Sequence, residues 1–422
     1  MVSVEQALTL LLDAATSAAL HQAHEMVLTL EANGRVLAKG QVSPINVPSL
    51  DNSQMDGYAV RAADCVSDTT LLPVTQRIAA GQVGVALESG TAARIFTGAA
   101  MPPGADAVVM QEVCEAQQST GSTKISISHM PMPGEWVRRA GEDIRAGAEI
   151  LAAGTRLGPP ALGLAASIGV AVLPVVPRVR VAVFFTGDEL TMPGEALRPG
   201  AIYNSNRFVL RSLLENLGCV LTDFGNVPDT LGETRQTLRD AAVGHDLIIT
   251  CGGVSVGEED HIRPAMQAEG SLNMWQIAVK PGKPLAFGTV RRANVNVNAN
   301  VANDVGLSTK TFFFGLPGNP VSSLITFLLF VRPFVLRLQG VQNVLPKSFL
   351  MRADFDWPKA DRRNEFLRVR INDVGGLDLF SNQGSGVLTS TVWGDGLIDN
   401  PAGMTITAGA LVKFIPFSAL LH

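Results

Sequence analysis

A glycine-rich segment directly after an apolar strand is the strongest indication of chemistry in this sequence. Residues 246–250 (DLIIT) predict a strand, and the segment that follows contains Gly252, Gly253, Ser255 and Gly257. Glycine lets backbone N–H groups come close to a ligand, and the start of a helix favours anions. We therefore expect these four residues to hold a phosphate or another oxyanion.

Two lysines stand in a short turn that is stiffened by proline. Lys280 and Lys283 are the two cations of the sequence KPGKP. Because proline restricts the backbone, the turn gives both ammonium groups a fixed direction. Ordinary surface lysines are the alternative, but the stiff turn favours anion binding.

Acidic residues follow three of the predicted strands. They are Glu189 after residues 179–185, Asp229 after residues 219–224, and Asp260 at the end of the glycine-rich segment. Ligands of open α/β sheets bind beyond the carboxyl ends of the strands, where these acids would meet. Neighbouring carboxylates repel one another unless a cation lies among them, and their oxygens suit Mg²⁺. Each acid alone could cap a helix, but together they predict a metal site.

Composition limits the other kinds of function. The chain has 422 residues, 46% hydrophobic and 17% charged, which predicts a well-packed protein of about two to four domains. The net charge of −5 argues against nucleic acid or an anionic membrane as a partner. The histidines and cysteines lack metal-ligand spacing, and Ser255 has no evident His/Asp partner for nucleophilic catalysis. Scattered cysteines and the lack of a signal peptide pattern predict a cytoplasmic protein.

Apolar spacing predicts a change of structure along the chain. Residues 4–32 predict a helix, and residues 51–150 predict short strands and loops. From residue 178, strands alternate with helices, which predicts a parallel α/β sheet. From residue 345, short strands and turns predict a small β-barrel or sandwich.

Two segments admit alternatives. Residues 157–177 are uncharged and long enough to cross a bilayer, but their prolines and glycines favour a short helix at 160–168 and a strand at 170–176. The Asn/Val repeat at 294–303 predicts a loop, with a weak hairpin as the alternative.

A series of motifs over nearly the whole chain resembles the molybdopterin molybdenumtransferase family, called MoeA in bacteria and the gephyrin E-domain type elsewhere. The motifs are DNSQMDGY (51–58), FTG (96–98), GEDI (141–144), TGDEL (186–190), the glycine-rich segment, KPGKP and GLPGNP (315–320). Their specificity comes from their occurrence together in this order.

The resemblance implies a function and a division into domains. The protein would insert molybdenum from molybdate into adenylylated molybdopterin, releasing AMP and molybdenum cofactor, and it would depend on Mg²⁺ and work as an elongated homodimer. Molybdopterin adenylyltransferase and apo-molybdoenzymes or their chaperones are expected partners. The expected α/β and β multidomain architecture has an N-terminal linker domain (1–50 and 140–177), a β-rich distal domain (51–139), a parallel α/β molybdopterin-binding domain (178–340) and a C-terminal β-barrel or sandwich (341–422).

The resemblance also assigns site residues. The glycine-rich segment with Asp229 and Asp260 would hold the nucleotide-bearing substrate and the metal, and Glu189 would be another metal or hydrolysis residue. Residues around molybdate would be Lys280, Lys283, Ser322, Arg368 and Ser385. Pro317 and Pro320 of GLPGNP would be further binding residues of the site. Positions that approach the cleft at the dimer interface would be Asp56, Thr97 and Asp143.

Two other functions remain open at the level of sequence. A molybdopterin adenylyltransferase would resemble only the α/β part, so the β-rich regions argue against it. A non-catalytic scaffold of the gephyrin kind is the second alternative, and the complete set of acids and lysines argues against it.

Overall fold

The computed structural model of the chain describes residues 1–18, 24–119, 121–254, 261–282, 284–292 and 310–421. The N-terminal elements, in chain order, are α1 (Val4–Ser17), β1 (Glu25–Leu28), β2 (Gln41–Val42), β3 (Asn52–Ser53), β4 (Gly57–Val60), β5 (Thr70–Ile78), β6 (Ala92–Ile95), β7 (Ala107–Met110), β8 (Cys114–Ser119), β9 (Ser122–Ile127), β10 (Val137–Arg138), β11 (Glu149–Leu151), α2 (Pro159–Ser167) and β12 (Val172–Val175).

The N-terminal part is made of two segments that are separated in sequence by the residues of another sheet. Strand β1 pairs antiparallel with β12, and β2 pairs antiparallel with β11, so the two ends of this part lie together. Between them, a separate six-stranded sheet has the order β7-β4-β6-β5-β9-β8. The predicted short helix and strand within residues 157–177 are confirmed as α2 and β12.

Among the described residues, the prediction of one helix over residues 4–32 is wrong from residue 24 onward, and α1 itself ends at Ser17. The helix begins with a capping box, in which Ser3 and Gln6 bond to each other's backbone N–H groups. Residues 25–28 instead form β1, whose partner β12 lies far along the chain. Local spacing cannot reveal such a partner, and tertiary pairing therefore overrides it.

The α/β part contains the central sheet of the protein. Its elements are β13 (Arg180–Thr186), β14 (Leu190–Thr191), β15 (Ile202–Tyr203), α3 (Ser205–Asn216), β16 (Val220–Val227), α4 (Leu231–Ala242), β17 (Leu247–Cys251), α5 (Ile262–Glu269), β18 (Gly270–Gln276), β19 (Val279–Lys280), β20 (Pro284–Arg291), β21 (Lys310–Leu316), α6 (Pro320–Thr326) and α7 (Arg332–Leu338).

The central sheet is mixed, whereas the sequence predicted a parallel sheet. Its order is β16-β13-β17-β21-β20-β18, with parallel pairing from β16 to β21 and antiparallel pairing from β21 through β20 to β18. Parallel neighbours need a long crossover, whereas antiparallel neighbours do not. The Asn/Val repeat between β20 and β21 lies outside the described residues, so its loop prediction stays a prediction.

Helices cover both faces of this sheet because its strands are apolar on both sides. Along β13, Val181, Val183 and Phe185 pack with α1, α3, α6 and α7, while Ala182 and Phe184 pack with α4 and α5. This alternation follows from the two-residue period of a strand. The parallel strands are therefore buried, and their carboxyl ends are held at one edge.

The apolar segment Pro320–Leu338 is the main core helix. It passes from α6 to α7 through a π-turn at Phe327–Val331. Pro333 has no N–H to donate and its ring crowds the preceding turn. The π-turn accommodates both the missing hydrogen bond and this crowding. Its composition is apolar enough for a membrane span, but 89% of it is buried within the protein.

The C-terminal part forms a further six-stranded sheet. Its elements are β22 (Phe349–Arg352), β23 (Asn364–Ile371), β24 (Leu377–Leu379), α8 (Thr389–Trp393), β25 (Gly396–Asn400) and β26 (Leu411–Pro416). The sheet order is β19-β23-β25-β26-β22, with β24 beside β23. Thus β19 of the α/β part supplies one strand. The short helix α8 and strand β25 were not predicted, but the α/β and β multidomain fold class is confirmed.

We predict that Phe334→Ala lowers the free energy of unfolding by about 3–5 kcal/mol because it empties a filled aromatic cluster. Phe334 is fully buried, and its ring centroid lies 5.0 Å from those of Phe312 and Phe314 and 5.7 Å from that of Phe287. Urea unfolding measures the change. Phe208→Ala, at a side chain that is 51% exposed, is the matched control and should cost less than about 1 kcal/mol.

Candidate active site

A cleft of about 680 Å³ opens between the carboxyl edge of the central sheet and the C-terminal part. It lies at the position where ligands bind in open α/β sheets. One wall comes from the ends of β13, β17 and β21, and the other comes from the turn after β19 and from two C-terminal loops. Residues of the predicted set that line it are Glu189, Asp229, Gly252, Gly253, Lys280, Pro317, Ser322 and Ser385.

The glycine pair turns the chain sharply where β17 ends. Gly252 and Gly253 have φ values of +96° and +63°, in the region that favours glycine. A Cβ atom at position 252 would lie 2.9 Å from the backbone oxygen of Thr186. The turn therefore requires glycine at Gly252. Ser255, Gly257 and Asp260 of the same segment lie outside the described residues.

The GLPGNP motif forms a neighbouring turn and opens α6. The side-chain amide of Asn206 donates to the Gly318 carbonyl at 2.7 Å and to the Cys251 sulfur at 3.0 Å. The backbone N–H of Val321 donates to the Ser385 carbonyl at 2.9 Å. These bonds fix the turn to α3 and fix a C-terminal loop to the start of α6.

Two predicted acids lie in the cleft. Asp229 is half-buried and directly precedes α4, and the hydroxyl of the next residue, Thr230, accepts from the N–H of Glu233 at 3.3 Å. Thr230 is therefore the N-cap of that helix. Glu189 is exposed, and a Cβ at Gly187 would come within 2.6 Å of its carboxylate.

Among the described residues, the two cleft acids are not joined by a third potential ligand. No group of three or more His, Cys, Asp or Glu side chains suited to a metal occurs in that part of the chain. The third predicted acid, Asp260, falls in the stretch that is not described. The oxygens of Glu189 and Asp229 nevertheless fit a hard cation such as Mg²⁺, which takes one or two carboxylates together with substrate oxygens.

Lys280 lies in the cleft wall and is held by two carboxylates. Its Nζ atom lies 2.9 Å from Oε1 of Glu365 and 3.2 Å from Oδ2 of Asp361. Burial alone would lower the pKa of Lys280, but the hydrogen bonds to these carboxylates outweigh it and hold that pKa above its usual value. Lys280 is therefore an ammonium group of fixed direction. Lys283 lies outside the described residues.

Arg363 is a second cation of this wall, and it was not among the residues predicted from the sequence. Its Nε and Nη2 atoms each lie 2.9 Å from an oxygen of Asp361. This fork holds the pKa of the Asp361 carboxyl well below its usual range, although burial acts in the opposite direction. One feature of the sequence could have indicated Arg363 as a site residue. It directly precedes the strand β23, and such a position lies at the rim of a sheet.

Arg368, by contrast, lies behind the cleft wall. It is fully buried in β23, and burial lowers the pKa of its guanidinium to about 10. The guanidinium donates to the hydroxyl of Ser390 at 3.1 Å and to the carbonyls of Phe366 and Gly384 at 3.3 and 3.2 Å. Arg368 thus supports the loop that brings Gln383, Gly384 and Ser385 into the cleft.

A smaller depression of about 330 Å³ adjoins the cleft and contains the predicted residue Pro320. Cys251 lines its floor, where burial raises the pKa of the thiol to about 11. A thiol with that pKa is not a nucleophile at neutral pH. Thr186 lines both spaces and, like Gln383 of the cleft, was not selected from the sequence.

Asp56, Thr97 and Asp143 do not line this cleft. The N–H and hydroxyl of Thr97 both donate to Oδ1 of Asp56 at 2.8 Å. The bond from the Thr97 N–H is the main reason why the pKa of Asp56 lies below its usual value. Asp143 is exposed in the segment that returns from the distal sheet. Within one chain, these residues therefore stand apart from the other candidates.

Comparison with known proteins gives matches along the whole chain. Family models match as the MoeA N-terminal region (domain I and II) over residues 2–169, the probable molybdopterin binding domain over 182–337, and the MoeA C-terminal region (domain IV) over 351–417. The molybdopterin molybdenumtransferase of Haemophilus influenzae is 39% identical over 93% of each chain. The molybdopterin molybdenumtransferase 2 of Mycobacterium tuberculosis is 34% identical over 91% of this chain and 92% of its own.

Solved structures agree with these matches. The molybdopterin biosynthesis MoeA protein of Pyrococcus horikoshii OT3 superposes with a TM-score of 0.80 at 27% identity, covering 99% of this chain and 100% of that chain. A second structure of a MoeA protein from Pyrococcus horikoshii gives a TM-score of 0.75 at 30% identity, covering 99% of each chain. The chain therefore belongs to the MoeA family, which confirms the resemblance found in its motifs.

Proposed function

We propose that this protein is a molybdopterin molybdenumtransferase, which inserts molybdenum from molybdate into adenylylated molybdopterin and releases AMP and molybdenum cofactor. Relatives that cover 93% and 91% of this chain carry the transferase's name and bear out the predicted activity. The observation in the molecule that carries the proposal is a single cleft with two acids and a glycine turn on one side and two oriented cations on the other.

The cationic side of the cleft suits molybdate. Molybdate is a compact dianion whose oxygens accept hydrogen bonds, and charge-assisted bonds from Lys and Arg are the strong ones available. Lys280 and Arg363 supply such donors from the two parts of the protein that meet here. The hydroxyls of Ser322 and Ser385 add neutral donors beside them. These four residues bind and orient the oxyanion in our proposal.

The acidic side suits the adenylylated substrate. That substrate carries a pyrophosphate-type linkage, which must be broken to release AMP. The turn at Gly252 and Gly253 lets the substrate approach the backbone closely, and in our proposal Glu189 and Asp229, which line the same cleft, hold Mg²⁺. When bound, Mg²⁺ would neutralise the negative oxygens of the linkage. The chain's own contribution is to fix the two substrates against each other in one cleft.

The two alternative functions find less support. An adenylyltransferase built on the α/β part alone does not account for the MoeA family matches over residues 2–169 and 351–417. A scaffold without catalysis does not account for the oriented charges of the cleft. We further propose a cytoplasmic location, consistent with four free thiols, and contacts with the adenylyltransferase and with apo-molybdoenzymes or their chaperones.

Asp229→Asn should raise the Mg²⁺ concentration needed for AMP release by about tenfold or more, because it removes one charged ligand oxygen and keeps the shape of the side chain. AMP release is measured against Mg²⁺ concentration at saturating substrates. Asp240→Asn, at an exposed acid on α4, is the matched control and should leave the Mg²⁺ curve unchanged. An unchanged curve for Asp229→Asn would remove this residue from the metal site.

Arg363→Ala should weaken molybdate binding about tenfold or more, since a charge-assisted hydrogen bond contributes about 1.5–3 kcal/mol. Affinity for adenylylated molybdopterin should fall less, because that substrate has other supports. Titration of each substrate by calorimetry separates the two effects. Arg362→Ala is the matched control, since Arg362 is exposed and does not line the cleft. A loss confined to the pterin substrate would place Arg363 on the nucleotide side.

We expect a homodimer in solution. Met26, Leu28 and Leu30 are 61%, 52% and 92% exposed on the N-terminal part, which is a large apolar exposure for neighbouring residues. A second copy is also the source that could bring Asp56 and Thr97 to a cleft, because those of the same chain do not line it. Light scattering should give twice the 44.6 kDa chain mass. A monomer mass at all concentrations would overturn this expectation.

A further inference from the structure

The carboxylate that pairs with Lys280 is almost completely buried. Glu365 is 1% exposed, yet both of its oxygens are hydrogen-bonded. Its Oε1 accepts from Lys280 Nζ at 2.9 Å, and its Oε2 accepts from Trp357 Nε1 at 2.8 Å and from the Asn400 amide at 3.3 Å. A buried carboxylate is costly unless it is satisfied in this way. Glu365 is therefore fixed in place from the C-terminal side.

Backbone pairing brings Glu365 and Lys280 together. Strands β19 and β23 are parallel, and their register sets Val279 beside Asn364 and Lys280 beside Glu365. The ion pair thus lies on the strand pair that joins the α/β part to the C-terminal sheet. Any change in the direction of the Glu365 carboxylate acts on a cation that lines the cleft.

The number of donors on Lys280 makes this contact decisive. A lysine ammonium has three N–H donors. Glu365 takes one and Asp361 takes a second, with Nζ···O distances of 2.9 and 3.2 Å. One donor remains for other partners. Two fixed acceptors leave little freedom in the direction of that third donor, whereas a lysine without them would sample many rotamers.

We infer that Glu365 is a positioning residue for oxyanion binding, which never touches the substrate but aims the remaining N–H donor of Lys280 into the cleft. The inference rests on the proposed function for the identity of the oxyanion. It differs from a purely structural role because removal of the Glu365 charge changes a property of Lys280 as well as the stability of the sheet.

The test compares Glu365→Gln and Glu365→Asp with the wild type by calorimetric titration of molybdate between pH 7 and pH 10. Glu365→Gln keeps the size of the side chain but removes the charge, so molybdate affinity should fall about tenfold. Glu365 favours the charged form of Lys280, so its loss lowers the pKa of that ammonium. Binding should therefore disappear at a lower pH in Glu365→Gln than in the wild type. The pH above which molybdate no longer binds is the alkaline limit of binding. Glu365→Asp keeps the charge, so its alkaline limit should equal that of the wild type.

A control of the same chemical kind is available on the next strand. Asp399 in β25 pairs with Lys413 at 2.8 Å and does not line the cleft. Asp399→Asn should leave both the molybdate affinity and its alkaline limit unchanged. Thermal unfolding of all variants at pH 7 identifies any that fail to fold. If Glu365→Gln does not fold, the decision rests on Glu365→Asp, and an alkaline limit different from that of the wild type would contradict the inference.

The outcomes separate this inference from the proposed function. Unchanged molybdate affinity and an unchanged alkaline limit in Glu365→Gln would overturn the inference. The proposed function would still stand if the wild type releases AMP. A wild type that binds molybdate but releases no AMP from adenylylated molybdopterin would overturn the function, and the calorimetric comparison would still decide the inference. A wild type that binds no molybdate would overturn both.

Discussion

The short parallel pairing of Val279–Lys280 with Asn364–Glu365 is the interaction on which the cleft depends. It makes a strand of the α/β part belong to the C-terminal sheet, so a hydrogen-bonded ladder ties together the two parts that form the cleft. The Lys280–Glu365 ion pair and the bond from Val321 to Ser385 strengthen the same junction. Without this junction, Arg363 and the C-terminal loops of the site would lie on a separate body from Lys280 and the acids.

The acidic wall is positioned by a different physical device, which is burial. Strands β13, β17 and β21 are apolar on both faces and covered by helices, so their carboxyl ends have little freedom to move. Sharp turns then follow at Gly252 and at Pro317. The turn residues thus stand on a rigid base, and the backbone conformation at the site is set by packing beneath it.

Much of this arrangement could be predicted from sequence because it is encoded locally. A strand that ends in glycines, or a turn of Pro and Gly before an apolar helix, carries its own signal, as at Gly252 and Pro317. The two arginines of this region show the limit of prediction from sequence. Arg368 was predicted to lie around molybdate but is buried behind the wall, whereas Arg363 was not predicted and lines the cleft. Arg368 stands between the buried residues Leu367 and Val369, a context that predicts burial, whereas the half-buried position of Arg363 depends on the loop and sheet edge around it. The Lys280–Glu365 pair, like β1 with β12, joins residues far apart in the chain and leaves no local pattern.

The pairing of each cation in the cleft wall with a carboxylate has a consequence for how the site meets its ligands. Among the described residues of this wall, Lys280 and Arg363 carry two positive charges, and Asp361 and Glu365 carry two negative ones, so these four charges cancel. A neutral cluster projects little field beyond the Debye length of about 8 Å in physiological salt. Anions are then recognised by donor geometry at contact and not steered from a distance. Their capture should respond weakly to ionic strength, and abundant anions of other shapes should gain little from charge alone.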